Sequence, residues 1–311
     1  MPAVNRRNAF RVAQWIFAAL VIFFAGRALI GQWGLASERL VHVRISWSRI
    51  ALASLLVMVT YALLIEGWRR VLGAWGGELT YGDAARIWCL SNLGKYVPGN
   101  VWSLTAMGVM SRDRGVSAVA ATGSSIIMQL LTLAIGLGVV LLTGARLVGQ
   151  PIVLAGVLVV LFILIGVAPR ILPAIVRTLA SFTGWSIPVP EIPAVVVWGA
   201  TLAAGITWLL YGLAFQLFTE GLLGSASGAT MSYIAVYTAA YILGFISPIA
   251  PAGLGVREVA LAAGMTRFGL AGEGDAALVA IAARAWLTIL ELIPSAGFIL
   301  AATLRRRSTS N

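Results

Sequence analysis

Charge is scarce in this chain. Asp, Glu, Lys and Arg make up 11% of its 311 residues, against roughly 25% in ordinary soluble domains. Cys89 is the sole cysteine and His42 the sole histidine. Lys95 is the sole lysine, so 21 of the 22 cations are arginine. One cysteine excludes an intramolecular disulfide. One histidine excludes His-rich metal sites and makes any Ser–His or Cys–His pairing depend on a single loop residue. A Walker loop, a dinucleotide fingerprint, a His–Glu metal pattern and an Asp-rich cation loop are all missing. No cofactor or metal is therefore expected. With only Glu66, Glu258 and Glu291 as buried bases, an intramembrane hydrolase is poorly supplied.

Apolar side chains fill the space that charge leaves. They make up 60% of the chain, and mean hydropathy is +0.94. A compact soluble globule cannot hide that much, because its surface needs polar cover. The expectation is one integral membrane domain over residues 1–311. The net charge of +11 would suggest nucleic acid in a soluble chain, which needs basic and aromatic residues clustered on a solvated face. Here the arginines lie between apolar runs, which points to membrane topology and anionic headgroups and not to nucleic acid. The N-terminal Arg6, Arg7 and Arg11 precede an apolar run to about Ile30. That run is too long for a cleaved signal and lacks an Ala-x-Ala-like site, so it reads as a retained signal anchor.

A spanning helix needs about 20 mainly apolar residues. Six stretches qualify, near 12–31, 50–68, 116–143, 151–168, 193–218 and 276–304. Two more, about 82–110 and 231–266, are interrupted at their centres by Pro98 and Gly99 and by Pro248, Pro251, Gly253 and Gly255. Proline removes a helical hydrogen bond and glycine frees φ. Unwound backbone at membrane depth survives only when buried in protein or lining a wet cavity. The fold class expected is thus all-α and polytopic, with about six spans and two re-entrant helical hairpins. If both hairpins return to the side they left, and the N-terminus is cytoplasmic, twelve arginines fall inside and five outside, the bias the positive-inside rule demands. Both termini are then cytoplasmic. The hairpins enter from opposite faces, with Pro98 and Pro251 153 residues apart. This is the signature of an inverted repeat with halves of about 1–180 and 191–307, joined through Ser181–Pro193. Prolines and glycines are also common in membrane helices for other reasons.

Ionisable groups inside a membrane usually pair or line a polar path. Lys95 lies in the first break, Arg257 and Glu258 just after the second. Arg284 and Glu291 lie seven residues apart on one face of the last run, where they pair with each other or with the hairpins. Glu66 and Arg27 sit near the ends of their runs, where side chains snorkel. A new helix after Gly253-Leu-Gly255 would present unpaired amides and a partial positive charge beside Arg257. Lys95, Tyr96, Asn100 and Trp102 would serve from the facing side. Together these form an anion site for which phosphate is the natural ligand. The alternative is that Lys95, Arg257 and Glu258 form internal ion pairs that only fasten the hairpins. Most tryptophans mark membrane boundaries, and packing is the expected role of Trp286. The inventory suits transport without a nucleotide better than catalysis.

The stretches Ser91-Asn-Leu-Gly-Lys-Tyr-Val-Pro-Gly-Asn-Val-Trp-Ser103 and Pro248-Ile-Ala-Pro-Ala-Gly-Leu-Gly-Val-Arg-Glu258 resemble the two signature stretches of the lysylphosphatidylglycerol synthase transmembrane-region family. This is the flippase-like domain of MprF and YbhN proteins, and the resemblance covers essentially the whole chain. It implies a bundle with re-entrant helices that moves lipids with modified headgroups between leaflets. Synthase members carry a further soluble aminoacyl-transferase domain. This sequence ends a few residues past its last apolar run, so the synthetic activity is not expected.

The expectation is therefore a nucleotide-independent flippase of the cytoplasmic membrane. Its substrate is a phosphate-containing lipid, aminoacylated or glycosylated. Lys95, Arg257 and the amides at Gly253 and Gly255 hold the phosphate. Glu258, Arg284 and Glu291 balance charge, and Tyr96, Asn100 and Trp102 shape the cavity. The rival readings are an intramembrane enzyme with Glu258 or Glu291 as base, and a non-catalytic partner of an envelope-biosynthesis enzyme or glycosyltransferase.

Overall fold

The computed structural model describes residues 45–96, 102–148, 192–247 and 251–308, with a few isolated helical positions between 152 and 178. Among the described residues the secondary structure is helical throughout, with no strand. The helices are α1 (Trp47–Ala74), α2 (Tyr81–Asn92), α3 (Trp102–Arg112), α4 (Ala118–Val148), α5 (Ala194–Leu223), α6 (Thr230–Ile246), α7 (Val256–Arg267) and α8 (Glu273–Ser308). Short 3₁₀ turns at Leu93–Tyr96 and Pro251–Gly253 follow α2 and precede α7. The expected runs at 12–31 and most of 151–168, the joining segment 181–191 and Arg27 lie outside the described residues.

Among the described residues, four helices are long and apolar enough to cross a membrane: Trp47–Ala74, Ala118–Thr143, Ala194–Leu223 and Glu273–Leu304. They coincide with four of the six runs expected from sequence. Their outer faces display Leu52, Leu55 and Val59 on α1, Leu202 and Leu209 on α5, and Ile293 and Leu300 on α8, all exposed. Continuous apolar surface of this kind belongs against acyl chains, since a soluble monomer rarely leaves it uncovered. The chain is a helical membrane protein.

The two interrupted stretches are helix pairs. α2 packs on α3, and α6 on α7. The helices of the first pair, 12 and 11 residues long, are about half the length a span requires; those of the second have 17 and 12 residues. In the first pair the turn folds back so closely that a Cβ on Gly94 would stand 2.6 Å from the Ser103 amide nitrogen. In the second, a Cβ on Gly253 would stand 2.9 Å from the Gly244 backbone, and Gly253 has φ +69°. Only glycine tolerates backbone-on-backbone contact of this kind.

The base of the first pair is closed where α1 ends. Gly77 lies against Val116, Arg114 is ion-paired with Asp83, and Thr80 caps α2 by accepting from the Asp83 amide. The base of the second pair is closed at the other end of α1, where the Ser46 amide donates to the Gly221 carbonyl at 2.7 Å. There Gly228, before α6, lies against Leu270, after α7. The ends of the first pair thus lie near the C-terminus of α1, and Gly228 and Leu270 bring the ends of the second pair together.

Packing divides into two cores. One gathers α1, α5, α6, α7 and α8 around Trp208, Phe215, Tyr233 and Tyr237. The other gathers α1 to α4 and the start of α5 around Trp68, Leu72 and Ile127. Trp88 of α2 packs against both. The seam between the cores is where the two turns meet.

Candidate functional site

The turn at Leu93–Tyr96 touches the turn at Pro251–Gly253, and α8 ties both down. Glu291 accepts from Lys95 Nζ at 2.6 Å through Oε1 and from Tyr96 Oη at 2.6 Å through Oε2. Two turns earlier on the same face, Arg284 Nη1 donates to the Ala252 carbonyl at 3.1 Å, and Nε stands 3.6 Å from Glu258 Oε1. Its guanidinium also lies 5.9 Å from the Tyr96 ring centre. Ser295 donates to the Cys89 carbonyl at 3.1 Å, fixing the height of α8 against α2. One helix face thus holds both turns, which explains the seven-residue spacing of Arg284 and Glu291.

Besides standing near Arg284, Glu258 turns back on its own helix start. The sequence suggests open amides at Gly253-Leu-Gly255, ready for an anion. In the structure the Gly255 N–H donates to Glu258 Oε2 at 2.6 Å. The carboxylate three residues into α7 turns back and takes the amide itself, half of a capping box. Backbone amides at this helix start are thus partly spent, and positive charge in the site rests on side chains.

Arg257 is that side chain. It points away from Glu258, donates to Tyr237 Oη at 2.8 Å, and lies 5.1 Å and 4.9 Å from the ring centres of Tyr237 and Tyr241. No carboxylate forms an ion pair with it among the described residues. Tyr211 stacks on Tyr237 at 5.5 Å, completing an aromatic bed. Cations over aromatic faces gain from the ring quadrupole without being neutralised.

These groups border a cavity of about 360 Å³. Lys95, Arg257, Arg284, Glu291 and Gly253 line it, with Asn92, Ser103, Gln129, Tyr61 and Trp88 among the other walls. Three cations face it against the carboxylates of Glu291 and Glu258, leaving one net positive charge. Arg284 Nη2 and Ser103 Oγ are buried with no hydrogen-bond partner.

The expected residues divide as follows. Lys95, Tyr96, Gly253, Arg257, Glu258, Arg284 and Glu291 come together. Gly255, at φ +84°, sits behind the site as the capped start of α7. Trp102 is 36% exposed at the first position of α3 and is not part of the cavity wall. Asn100, Pro98, Gly99 and Pro248 lie outside the described residues, and of Pro251 only the backbone is described. Glu66 pairs with Arg69 and Arg70 at 2.7 and 2.8 Å, away from the cavity. Trp286 packs on Phe218 at 4.4 Å and donates to Ser54 at 2.9 Å. The residues that sequence reasoning missed are Tyr237 and Tyr241, whose four-residue spacing with Tyr233 was a readable signal, Asn92 and Ser103, which lie in the Ser91–Ser103 stretch, and Gln129, which carried none.

No protein-family model matches the chain, and a comparison with curated proteins also finds no match.

Proposed function

We propose that the protein is a nucleotide-independent flippase or transporter of a phosphate-containing membrane lipid. The observation that carries this reading is the meeting of Lys95, Arg257 and Arg284 on one cavity between two touching turns, with Arg257 left without a carboxylate. A cation held in a membrane protein at the cost of desolvation, and not neutralised there, suits a ligand that brings negative charge. In this reading α2–α3 and α6–α7 are re-entrant hairpins entering from opposite leaflets. Their bases at opposite ends of α1 support that, as does the nine-residue spacing of each close approach, Gly94 to Ser103 and Gly244 to Gly253. The same symmetry supports an inverted repeat whose halves rock about the site. The cytoplasmic membrane, cytoplasmic termini and the lysylphosphatidylglycerol synthase transmembrane-region resemblance belong to the same proposal.

The carboxylates favour transport over intramembrane catalysis. Glu291 is held by Lys95 and Tyr96, and Glu258 by the Gly255 amide and Arg284. A general base needs a carboxylate that can reach substrate and take its proton; Glu291 has both oxygens engaged, and Glu258, whose Oε1 makes no hydrogen bond, is not part of the cavity wall. The test is a reconstituted vesicle assay in which dithionite bleaches a fluorescently tagged phosphatidylglycerol as it reaches the outer leaflet. Arg257→Gln should slow translocation about tenfold, the effect of losing one charge-assisted hydrogen bond of about 1.5–3 kcal/mol. Unchanged rates in both Arg257→Gln and Lys95→Gln would remove the anion site and the proposal with it.

A further inference from the structure

The charges that bind a phosphate say little about what the phosphate carries. The rest of the cavity says more. An aminoacylated headgroup brings ammonium charge, which beside three cations needs a carboxylate to offset it. Of the two carboxylates, Glu291 is held by two donors at 2.6 Å each; Glu258 does not line the cavity, gives Oε2 to the Gly255 amide and has Arg284 Nε 3.6 Å from Oε1. The aromatic faces nearest the charges, Tyr237 and Tyr241, already carry Arg257. With a net positive site, an added cation meets repulsion and finds no counter-charge.

The opposite wall offers hydrogen bonds instead. The Asn92 side chain makes no hydrogen bond among the described residues, and Ser103 Oγ is buried without a partner. The Gln129 amide nitrogen donates to Ser125 at 3.4 Å, while its carbonyl oxygen makes no hydrogen bond among the described residues. Buried polar groups are normally satisfied, so the unpaired Ser103 hydroxyl, with the half-buried Asn92 and Gln129 groups in the same cavity wall, marks where a ligand's hydroxyls belong. Trp88 and Tyr61, with ring centres 5.4 Å apart, add apolar faces against which the C–H faces of a saturated ring can lie. The volume of about 360 Å³ sits at the lower end of ordinary ligand pockets, roughly 300–1,000 Å³. It admits a headgroup and not a whole lipid.

We infer that the headgroup is an uncharged polyol joined to its lipid through the phosphate, such as a sugar, inositol or glycerol, and not an aminoacyl cation. This rests on the phosphate-lipid reading above and specifies its substrate. The phosphate meets Arg257 and Arg284, and the hydroxyls meet Asn92, Ser103 and Gln129.

The test measures binding of four short-chain probes to the detergent-purified protein by tryptophan fluorescence. They are dioctanoyl phosphatidylinositol, phosphatidylglycerol, lysyl-phosphatidylglycerol and phosphatidate. The inositol and glycerol lipids should bind at least about tenfold tighter than the lysyl lipid, the factor expected for each of its ammonium charges at ~12 Å and an effective dielectric near 20. Gln129→Leu and Asn92→Leu should each weaken the inositol lipid about fivefold, the usual yield of one hydrogen bond, and leave phosphatidate within about twofold. Lysyl lipid binding as tightly as inositol lipid overturns the inference, and this ranking needs no variant. Equal binding of all four probes, abolished by Arg257→Gln, also overturns it while leaving the phosphate site intact. Binding of none overturns both.

Discussion

Removing Lys95 or Glu291 singly should cost far more than removing both. The two meet at 2.6 Å with side chains 27% and 15% exposed, and Tyr96 donates to the second carboxylate oxygen at 2.6 Å. Breaking a fully buried pair from one side costs about 3–5 kcal/mol, and an exposed pair about 0–1 kcal/mol. Partial exposure to the cavity places Lys95→Met between these limits, near ~2 kcal/mol. Glu291→Leu removes the acceptor of two hydrogen bonds and leaves Lys95 facing Arg284 and Arg257 uncompensated, so its cost should be near ~3 kcal/mol. In the double variant no stranded charge remains, and replacing an ion pair by apolar groups is often nearly neutral. The loss there should fall to about 1 kcal/mol, giving a coupling energy near ~4 kcal/mol between directly contacting residues. The assay is unfolding of the purified protein in mixed micelles titrated with sodium dodecyl sulfate, followed through its 11 tryptophans. Strictly additive losses, or single losses below about 0.5 kcal/mol, would refute the claim that this pair clamps the first turn to α8.

Four further outcomes follow from the same geometry. Gly94→Ala should destabilise by about 1–3 kcal/mol in that titration, because the new Cβ meets backbone at 2.6 Å on α3 and neither limb of the turn can yield cheaply. Ala252, at φ +52°, occupies the left-handed region at a cost of about 1–2 kcal/mol. Ala252→Gly should therefore raise stability slightly, by up to ~1 kcal/mol after glycine's own entropy loss, whereas Ala252→Val should lower it. Cys89 is 7% exposed, so a maleimide should label it slowly in native micelles and fully after unfolding, with no other thiol to confuse the count. Trp68→Phe removes the indole donor to Ser124 at 3.0 Å and should cost about 1 kcal/mol, seen as a lower unfolding midpoint.

Much of the site was legible because charge is so rare here. Where only a handful of ionisable groups fall inside apolar runs, each must find another, and Lys95, Arg257, Glu258, Arg284 and Glu291 had few partners to choose from. Proline and glycine announced the breaks for an equally local reason, since no continuous helix survives Gly253-Leu-Gly255 with two of its glycines at φ +69° and +84°. What sequence proximity obscured was direction. Arg257 and Glu258 are neighbours in the chain, but successive helical side chains diverge by about 100°. Glu258 therefore turns back to the Gly255 amide while Arg257 reaches α6.

That divergence decides the chemistry of the site. A Glu at the third helical position after a glycine start is a capping pattern, and that pattern alone takes Glu258 away as a partner for Arg257. Arg257 then needs another bed, and the tyrosines at 237 and 241 supply one that holds a guanidinium without cancelling its charge. Had the carboxylate faced Arg257 instead, Arg257 would only fasten α7, and the unpaired charge would fall on Arg284 of α8, away from the tyrosine bed. The one-residue offset between Arg257 and Glu258, placed at the first turn of α7, is what leaves a positive group open to the cavity.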